Sequence, residues 1–567
     1  MKTTIFLIPV LLLAFYLRLE ELGNWPLRWD EAFSVWEAQM GFLEVTGFTA
    51  RDVHPPMYFW LLHIWVRLAG TSELAIRALS VFFSQITIVT VYTLILRLSK
   101  RERAAWLGVL LITTSPYHIH WSQDARMYAL ATMFATLVIY AYWRGWTGRF
   151  ALTGIGAVLS HYFGAIVLGV ILLFQVLRRR PLRRGRRRWA AAVAVVVAAC
   201  IVWGLYTAGL MRKDPSLATF DLDAAFVLMA NTFAVNSTTH LGAYTPHVLL
   251  ITAIFFLGLF LSWRDNREAT FFILLGCLVS PIVITILGLP IIPVHVNALQ
   301  ERHVSVFAPF VFAGFGIGLA AMLSRSWFPA GALICVGLLA FNFILVTERA
   351  RGRYFKDDYR TMMAAVAALT DSNDVVFFAS GGRKPLVYYH LDRVGYNVPK
   401  SRFAEPLNVI GIPRRSDDVD AMMHQVFAGI HRFWLIEIEA HLDEPLDARI
   451  NWIDDNYHRI YHIPVAWNGV SLYSSDENDA IPVIETTIPP VVAEARPGDQ
   501  VRIGVPAGTT VNLVHHGQII DSHQAETWML HQFDIYQFYF NGIYELRTED
   551  ESYPFVITHS QEFPGGA

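Results

Sequence analysis

The chain has 567 residues, 54% of them hydrophobic and only 16% charged, with a mean hydropathy of +0.39. A soluble domain carries about a quarter charged residues, so this balance excludes an ordinary soluble protein and points to a membrane class. A net charge of -2 makes no electrostatic case for nucleic acid, and the three cysteines, Cys200, Cys277 and Cys335, sit in apolar runs, which excludes a disulfide framework or a thiolate metal site.

Apolar stretches of near spanning length cover residues 3–19, 75–98, 104–118, 125–143, 189–210, 246–262, 269–289, 304–323 and 328–347. The first reads as a retained helix, because Leu-Arg-Leu-Glu-Glu follows it where a signal peptide would carry a small-residue cleavage site. Short cytoplasmic loops hold Lys and Arg, which places the loop with Arg97, Lys100, Arg101 and Arg103, and the run from Arg178 to Arg188, on the cytoplasmic side. Parity then requires residues 57–69 to lie along the interface or re-enter, and residues 150–177 to form a hairpin of two short helices with Ser160-His161-Tyr162-Phe163 at its outer tip. The result is about eleven crossings with a cytoplasmic N-terminus. The loops at 118–124, 211–245 and 290–302, and everything after residue 350, fall on the outer face.

The expected fold is therefore a polytopic α-helical membrane protein with interfacial helices over residues 1–350 and external domains beyond. Residues 351–478 alternate helical and strand-like runs, with a helix from Tyr359 to Leu369 and buried strands near Asp374 and Phe433, as in a small α/β domain. Residues 479–567 carry strand-like runs at 493–505, 510–515, 537–546 and 553–558 with Gly, Pro and Asn between them, as in a β-sandwich.

Ionisable residues beside apolar spans are costly unless they face water, a partner or a substrate, so four clusters stand out. Asp30 and Glu31 open a segment with apolar positions at Phe33, Trp36, Met40 and Leu43, which predicts a helix lying on the membrane surface. Such a pair can serve as a general base and its helper, or as two helix-capping acids. His54-Pro55-Pro56 is a stiff element before Tyr58. Asp124, Arg126 and Tyr128 follow Ser115-Pro116 in one short loop, where the arginine can either pair with the aspartate or clamp a phosphate. Gln300-Glu301-Arg302-His303 supplies a second cation at a helix start.

In this order and spacing the acidic pair, His-Pro-Pro-aromatic, Gly70-Thr71-Ser72-Glu73-Leu74-Ala75-Ile76-Arg77, Ser115-Pro116 and Ser122-Gln123-Asp124-Ala125-Arg126-Met127-Tyr128 resemble the GT-C membrane glycosyltransferases. Within them the pattern is most similar to the protein O-mannosyltransferase and lipid A aminoarabinose transferase group. The resemblance covers residues 1 to about 350. It implies transfer of a sugar from a polyprenyl-phosphate donor to a hydroxyl of a glycan, lipid or protein on the external membrane face, with inversion. Carried over, Asp30 is the catalytic base, Glu31 supports it, and Asp124 is a second acidic site residue. His54 faces the donor phosphate where aminoarabinose transferases have Lys, and Tyr58, Arg126, Tyr128, His161, Arg302 and His303 complete the substrate site. Here His303 stands where the family's Glu-Arg-Tyr start has its aromatic. Asp30, Glu31 and Asp124 are hard oxygen ligands able to hold Mg or Mn, and the sequence does not choose between metal-assisted and metal-free chemistry. The reading from another class is a lipid-linked sugar transporter or flippase, which should show inverted repeats or charged broken helices near mid-membrane. Here the charges gather at outer helix ends. Trp467 and Trp528 are the sugar-stacking candidates beyond residue 350.

Overall fold

The computed structural model describes residues 7–20, 22–23, 26–52, 54–178, 185–210, 221–235, 241–287, 289, 300–323, 328–352, 359–370, 375–379, 381–393, 409–413, 416, 418–438, 446–465, 468–479, 487, 490, 494–495, 500–515, 517–525, 529–534 and 542–557. Two compact units account for the chain: Met1–Asn24 with Ser34–Ala350, and Trp25–Phe33 with Arg351–Ala567.

The first unit is helical. Among the described residues six helices are long and apolar enough to cross a membrane: Glu73–Ser99, Arg186–Thr207, Tyr244–Ser262, Arg267–Leu287, Glu301–Leu323 and Phe328–Thr347. Leu7–Leu19, Met57–Ala69, Gly164–Leu177 and Leu222–Val235 are shorter apolar helices. At 13 residues Met57–Ala69 reaches only about 20 Å, short of a bilayer core. The stretch at 150–177 is two helices, Thr147–Ser160 and Gly164–Leu177, with His161-Tyr162-Phe163 between them. Leu222–Val235 falls where an outer loop is expected; Asp223 and Asn231 dilute its apolar signal.

The best-buried span is Glu301–Leu323. Its glycines explain why, since a residue without a Cβ lets two backbones close together. A Cβ on Gly316 would stand 2.5 Å from the Ala104 carbonyl oxygen, and one on Gly318 would stand 2.9 Å from Gly258 Cα. Helices Glu102–Thr114 and Leu241–Ser262 are thereby drawn against this central span. Outer helices turn apolar side chains outward instead, among them Leu12, Leu205, Leu249 and Leu333, the surface a lipid phase requires.

Arg18 locks the first helix to the next layer. Its Nη1 donates to the carbonyls of Ala14 (2.9 Å) and Thr113 (3.1 Å), and its Nη2 to the carbonyl of Ile112 (3.2 Å) and to His118 Nδ1 (2.8 Å). A guanidinium only donates, so His118 accepts at Nδ1 and carries its proton on Nε2. Gln123 Nε2 then donates to the carbonyls of Arg18 (3.2 Å) and Glu20 (3.1 Å), which fixes the start of the loop that carries Asp124 and Arg126.

The second unit holds three sheets. Strands β1 (Val375–Phe378), β2 (Val409–Gly411), β3 (Arg432–Glu437), β4 (His458–Val465) and β5 (Asn468–Ser474) form one sheet in the order β2-β1-β3-β5-β4. β1 pairs in parallel with β2 and β3, and the β3, β5 and β4 pairings are antiparallel. Further on, a two-stranded and a five-stranded sheet share one core, in which Val501, Ile503 and Phe533 meet Leu513, Tyr544, Leu546 and Phe555. The strand Gln518–Gln524 has no apolar alternation; it pairs with Thr510–His515 through a turn in which Gly517 takes φ 77°.

Replacing Gly318 by Val should force the Leu241–Ser262 and Ala308–Leu323 helices apart at a cost of about 1–3 kcal/mol. Thermal unfolding of the detergent-solubilised protein should show this as a clear drop in melting temperature. The same change at Gly337, where a Cβ meets nothing within 4 Å, should leave it in place. Equal effects at the two positions would refute close helix approach as the reason for the glycine.

Candidate functional site

The membrane unit gathers polar side chains from five chain segments. Ser34 and Glu37 come from helix Trp29–Ala38, and Asp52, His54 and Tyr58 from the turn into Met57–Ala69 and its first residues. Arg126 and Tyr128 come from the loop before Tyr128–Arg144, His161 and Tyr162 from the hairpin tip, and Arg302 and His303 from the 3-10 turn Glu301–Phe307.

Local chemistry builds each piece. Ser115 caps the short helix Pro116–Ser122, its hydroxyl accepting from the His118 N–H at 3.3 Å, with Pro116 at the first helical position. That helix ends at Gln123 and releases the chain into the Asp124-Ala125-Arg126 turn. Tyr117 OH donates to the Glu301 carbonyl at 2.7 Å, and Thr132 Oγ1 to the Ser305 carbonyl at 3.1 Å, so the 301–307 turn is tied to the 116–132 segment.

Arg126 is the centre of the cluster, with 3% of its surface exposed. Its Nη1 donates to Ser34 Oγ at 3.1 Å, and its guanidinium lies 5.7 Å from the Phe59 ring centre, in cation–π range. Its own carbonyl accepts from Ser80 Oγ at 3.5 Å, and Ser80 shares a 3.3 Å hydrogen bond with Tyr58. Tyr58 is thus fully buried and braces the backbone of Arg126.

His161 lies 5.3 Å from His303 and 6.2 Å from Tyr128, ring centre to ring centre. The Phe163 N–H donates to His161 Nδ1 at 3.1 Å, so a neutral His161 presents its Nε2–H as a donor. Burial pushes the His54 and His161 imidazoles well below their ordinary value of 6.5. The charges of Arg126, Arg302 and His303 push both the same way. Fixed positive charge in the cluster therefore comes from Arg126 and Arg302, and His54 and His161 act as neutral donors. Arg302 Nε in turn donates to Gln300 Oε1 at 2.5 Å.

The acids divide between the two units. Asp124 is buried in the membrane unit, 6% exposed. Asp30 and Glu31 open helix Trp29–Ala38 but are counted with the C-terminal unit, along with the rest of Trp25–Phe33. There Trp29 Nε1 donates to the Gly382 carbonyl at 3.1 Å, Arg383 lies 5.0 Å from the Trp29 ring centre, and His390 Nε2 bonds the Leu27 carbonyl at 2.9 Å. Glu31 is buried and its Oε2 accepts from the Arg28 N–H at 3.1 Å, the geometry of a capping acid, while Asp30 is half-buried.

The expected surface stripe Phe33-Trp36-Met40-Leu43 does not run along one helix. The helix stops at Ala38, and Leu43, 83% exposed, belongs to the next helix, Phe42–Thr49. The tightly packed positions are Ala32, Ser34, Val35, Glu37 and Ala38. Glu37 and Ser34 are the residues that the sequence reading missed: the one available signal was an acid and a hydroxyl three residues apart, which share a helix face. Among the described residues no group of three His, Cys, Asp or Glu side chains is placed to hold a metal ion. Trp467 and Trp528 lie outside the described residues.

A cluster that brings two arginines together beside membrane spans can hold an anionic head group. The chain resembles the GT-C membrane glycosyltransferases. Residues 53–206 match the family model described as dolichyl-phosphate-mannose-protein mannosyltransferase. Among solved structures the chain is similar to ArnT from Cupriavidus metallidurans in the apo state, at 12% identity and a TM-score of 0.51, over 84% of this chain and 99% of that one. It is similar also to the same protein bound to undecaprenyl phosphate, at 13% identity and a TM-score of 0.52, over 83% and 98%. An uncharacterised protein of Aquifex aeolicus (strain VF5) is 24% identical over 328 residues, 55% of this chain. This chain spans 64% of that relative's length.

His54, His118 and His161 are all held below 6.5 in the fold. Just below that value the unfolded chain binds more protons than the native one, so stability is lost as pH falls from about 6.5 toward the depressed folded values. The melting temperature should fall between about pH 6.5 and pH 5. Replacing His161 by Asn, whose carbonyl can still accept from Phe163, should flatten part of that slope. An unchanged slope would remove His161 from this account.

Proposed function

We propose that the chain is an integral membrane glycosyltransferase that moves a sugar from a polyprenyl-phosphate donor to a hydroxyl of a glycan, lipid or protein at the external face of the cell membrane. The observation that carries this reading is the convergence of two permanent cations, Arg126 and Arg302, with His54, His161 and His303 in a buried setting. A guanidinium fork matches phosphate oxygens, which suits the two arginine side chains to an anionic head group. The fold shared with ArnT, which has been seen with undecaprenyl phosphate, supports a lipid phosphate as that anion.

The reaction then needs little else. The acceptor O–H gives its proton to the Asp30 carboxylate as its oxygen bonds the anomeric carbon. The bond from that carbon to the bridging phosphate oxygen breaks, and its electron pair leaves on polyprenyl phosphate. Arg126 and Arg302 stabilise the charge that grows on the leaving phosphate, and neutral His54 and His161 donate to its oxygens. Phosphate leaves as an anion, so no general acid is required. One displacement inverts the anomeric centre, whereas a retaining route would need a second carboxylate as nucleophile. Glu31 supports the start of the helix that carries Asp30, and Asp124 is the second acid of the site. Tyr128 and His303 complete the donor pocket.

Purified protein assayed with a panel of polyprenyl-phosphate hexoses and pentoses should turn over at least one of them. Asp30→Asn should lower kcat by about 100- to 10,000-fold with little change in donor KM. Arg302→Ala should act mainly on donor KM. An Asp30→Asn protein with wild-type turnover, or residue 30 labelled from the cytosolic side, would end this assignment.

A further inference from the structure

Glu37 has no place in the mechanism above, yet it is the most unusual acid of the membrane unit. Its side chain is 0% exposed, and among the described residues neither carboxyl oxygen has a hydrogen-bond partner. A buried polar group left this way costs about 1–3 kcal/mol, so a protein retains one only where something else repays it. Glu37 lies one turn along the helix from Ser34, the residue that accepts from Arg126. Its electrostatic neighbours are Arg126 and Asp52, which places it on the cationic cluster. Burial and Asp52 both push its carboxyl well above the usual range, outweighing the opposite pull of Arg126. The acid therefore keeps its proton, and its O–H is a donor.

Resting on the reading of the cluster as a donor-phosphate site, we propose that Glu37 is a substrate-binding residue that donates a hydrogen bond, as a neutral carboxylic acid, to a phosphate oxygen of the lipid-linked donor. A carboxylate there would repel the ligand and cancel the charge of Arg126. A carboxylic acid does neither, and adds a donor at a depth where water cannot compete.

The test is binding of undecaprenyl phosphate to the purified full-length protein in detergent, read together with thermal unfolding of the unliganded protein. Glu37→Gln keeps a neutral donor and should bind within about threefold of wild type. Glu37→Met fills the same space without a donor and should weaken binding by about 10- to 100-fold. It should also raise the melting temperature, because it removes an unsatisfied buried group. A structural glutamate would give the opposite sign in that second measurement.

Unchanged binding in Glu37→Met, an equal loss in Glu37→Gln, or a lower melting temperature in Glu37→Met each overturns the proposal. Arg302→Ala separates this from the reading beneath it. Binding that depends on Arg302 but not on Glu37 sinks only the Glu37 assignment. Undecaprenyl phosphate that fails to bind wild type, or binds without regard to Arg302, sinks both.

Discussion

A guanidinium that cannot shed its charge and cannot reach water sets the terms for the membrane unit. Arg126 is nearly fully buried and is held at three points: Nη1 by Ser34, the guanidinium by the Phe59 ring, and the backbone carbonyl by Ser80 and through it Tyr58. Burying a charge in this way is expensive, so the surrounding helices must keep their register to satisfy it. Arg18 does the same work one layer away, where its two terminal nitrogens reach three carbonyls and His118. Between them the two arginines fix both ends of the segment from Thr113 to Tyr128, and the loop that carries Asp124 inherits its position from that.

The division of labour between lipid-facing and site-facing residues follows. Glycine contacts at Gly316 and Gly318 let the central span approach its neighbours through backbone rather than side chains. The 3-10 turn Glu301–Phe307 sits at the head of that span, so Arg302 and His303 are carried by the most buried element of the unit. Function placed on a rigid element holds its geometry better than function placed on a loop. The His161 turn gains a similar rigidity from the short helices on either side and from the Phe163 N–H on its ring.

Much of this was legible in the residues, and the failures have physical causes. Hydropathy located the long helices, and the positive-inside argument required a break at residues 161–163, where the structure has one. The cationic and histidine positions read from spacing, His54, Arg126, His161, Arg302 and His303, do come together. Leu222–Val235 was hidden because 14 residues are too few to read as a span. Strand Gln518–Gln524 was hidden because its faces are not divided into polar and apolar, so only its partner strand reveals it. The surface helix from Asp30 failed at Gly41: a 3.6-residue period can be counted through a break that only the backbone shows. Glu37 failed for another reason. One acid in an amphipathic stretch looks like a solvated face, and nothing in one sequence says that the face is buried.

The same electrostatics accounts for a histidine at position 54. Arg126 and Arg302 already place two permanent charges in one enclosed volume, and burial together with those charges drives the His54 imidazole well down. A lysine there would be a third cation in the same field, with its charge either forced or lost at large cost. An imidazole can stay neutral and still donate one N–H, so it supplies a directional contact without adding to the repulsion. Glu37 obeys the same rule from the acidic side, since a carboxylic acid keeps its donor and gives up its charge. In this cluster His54, His161 and Glu37 are all pushed toward their neutral forms.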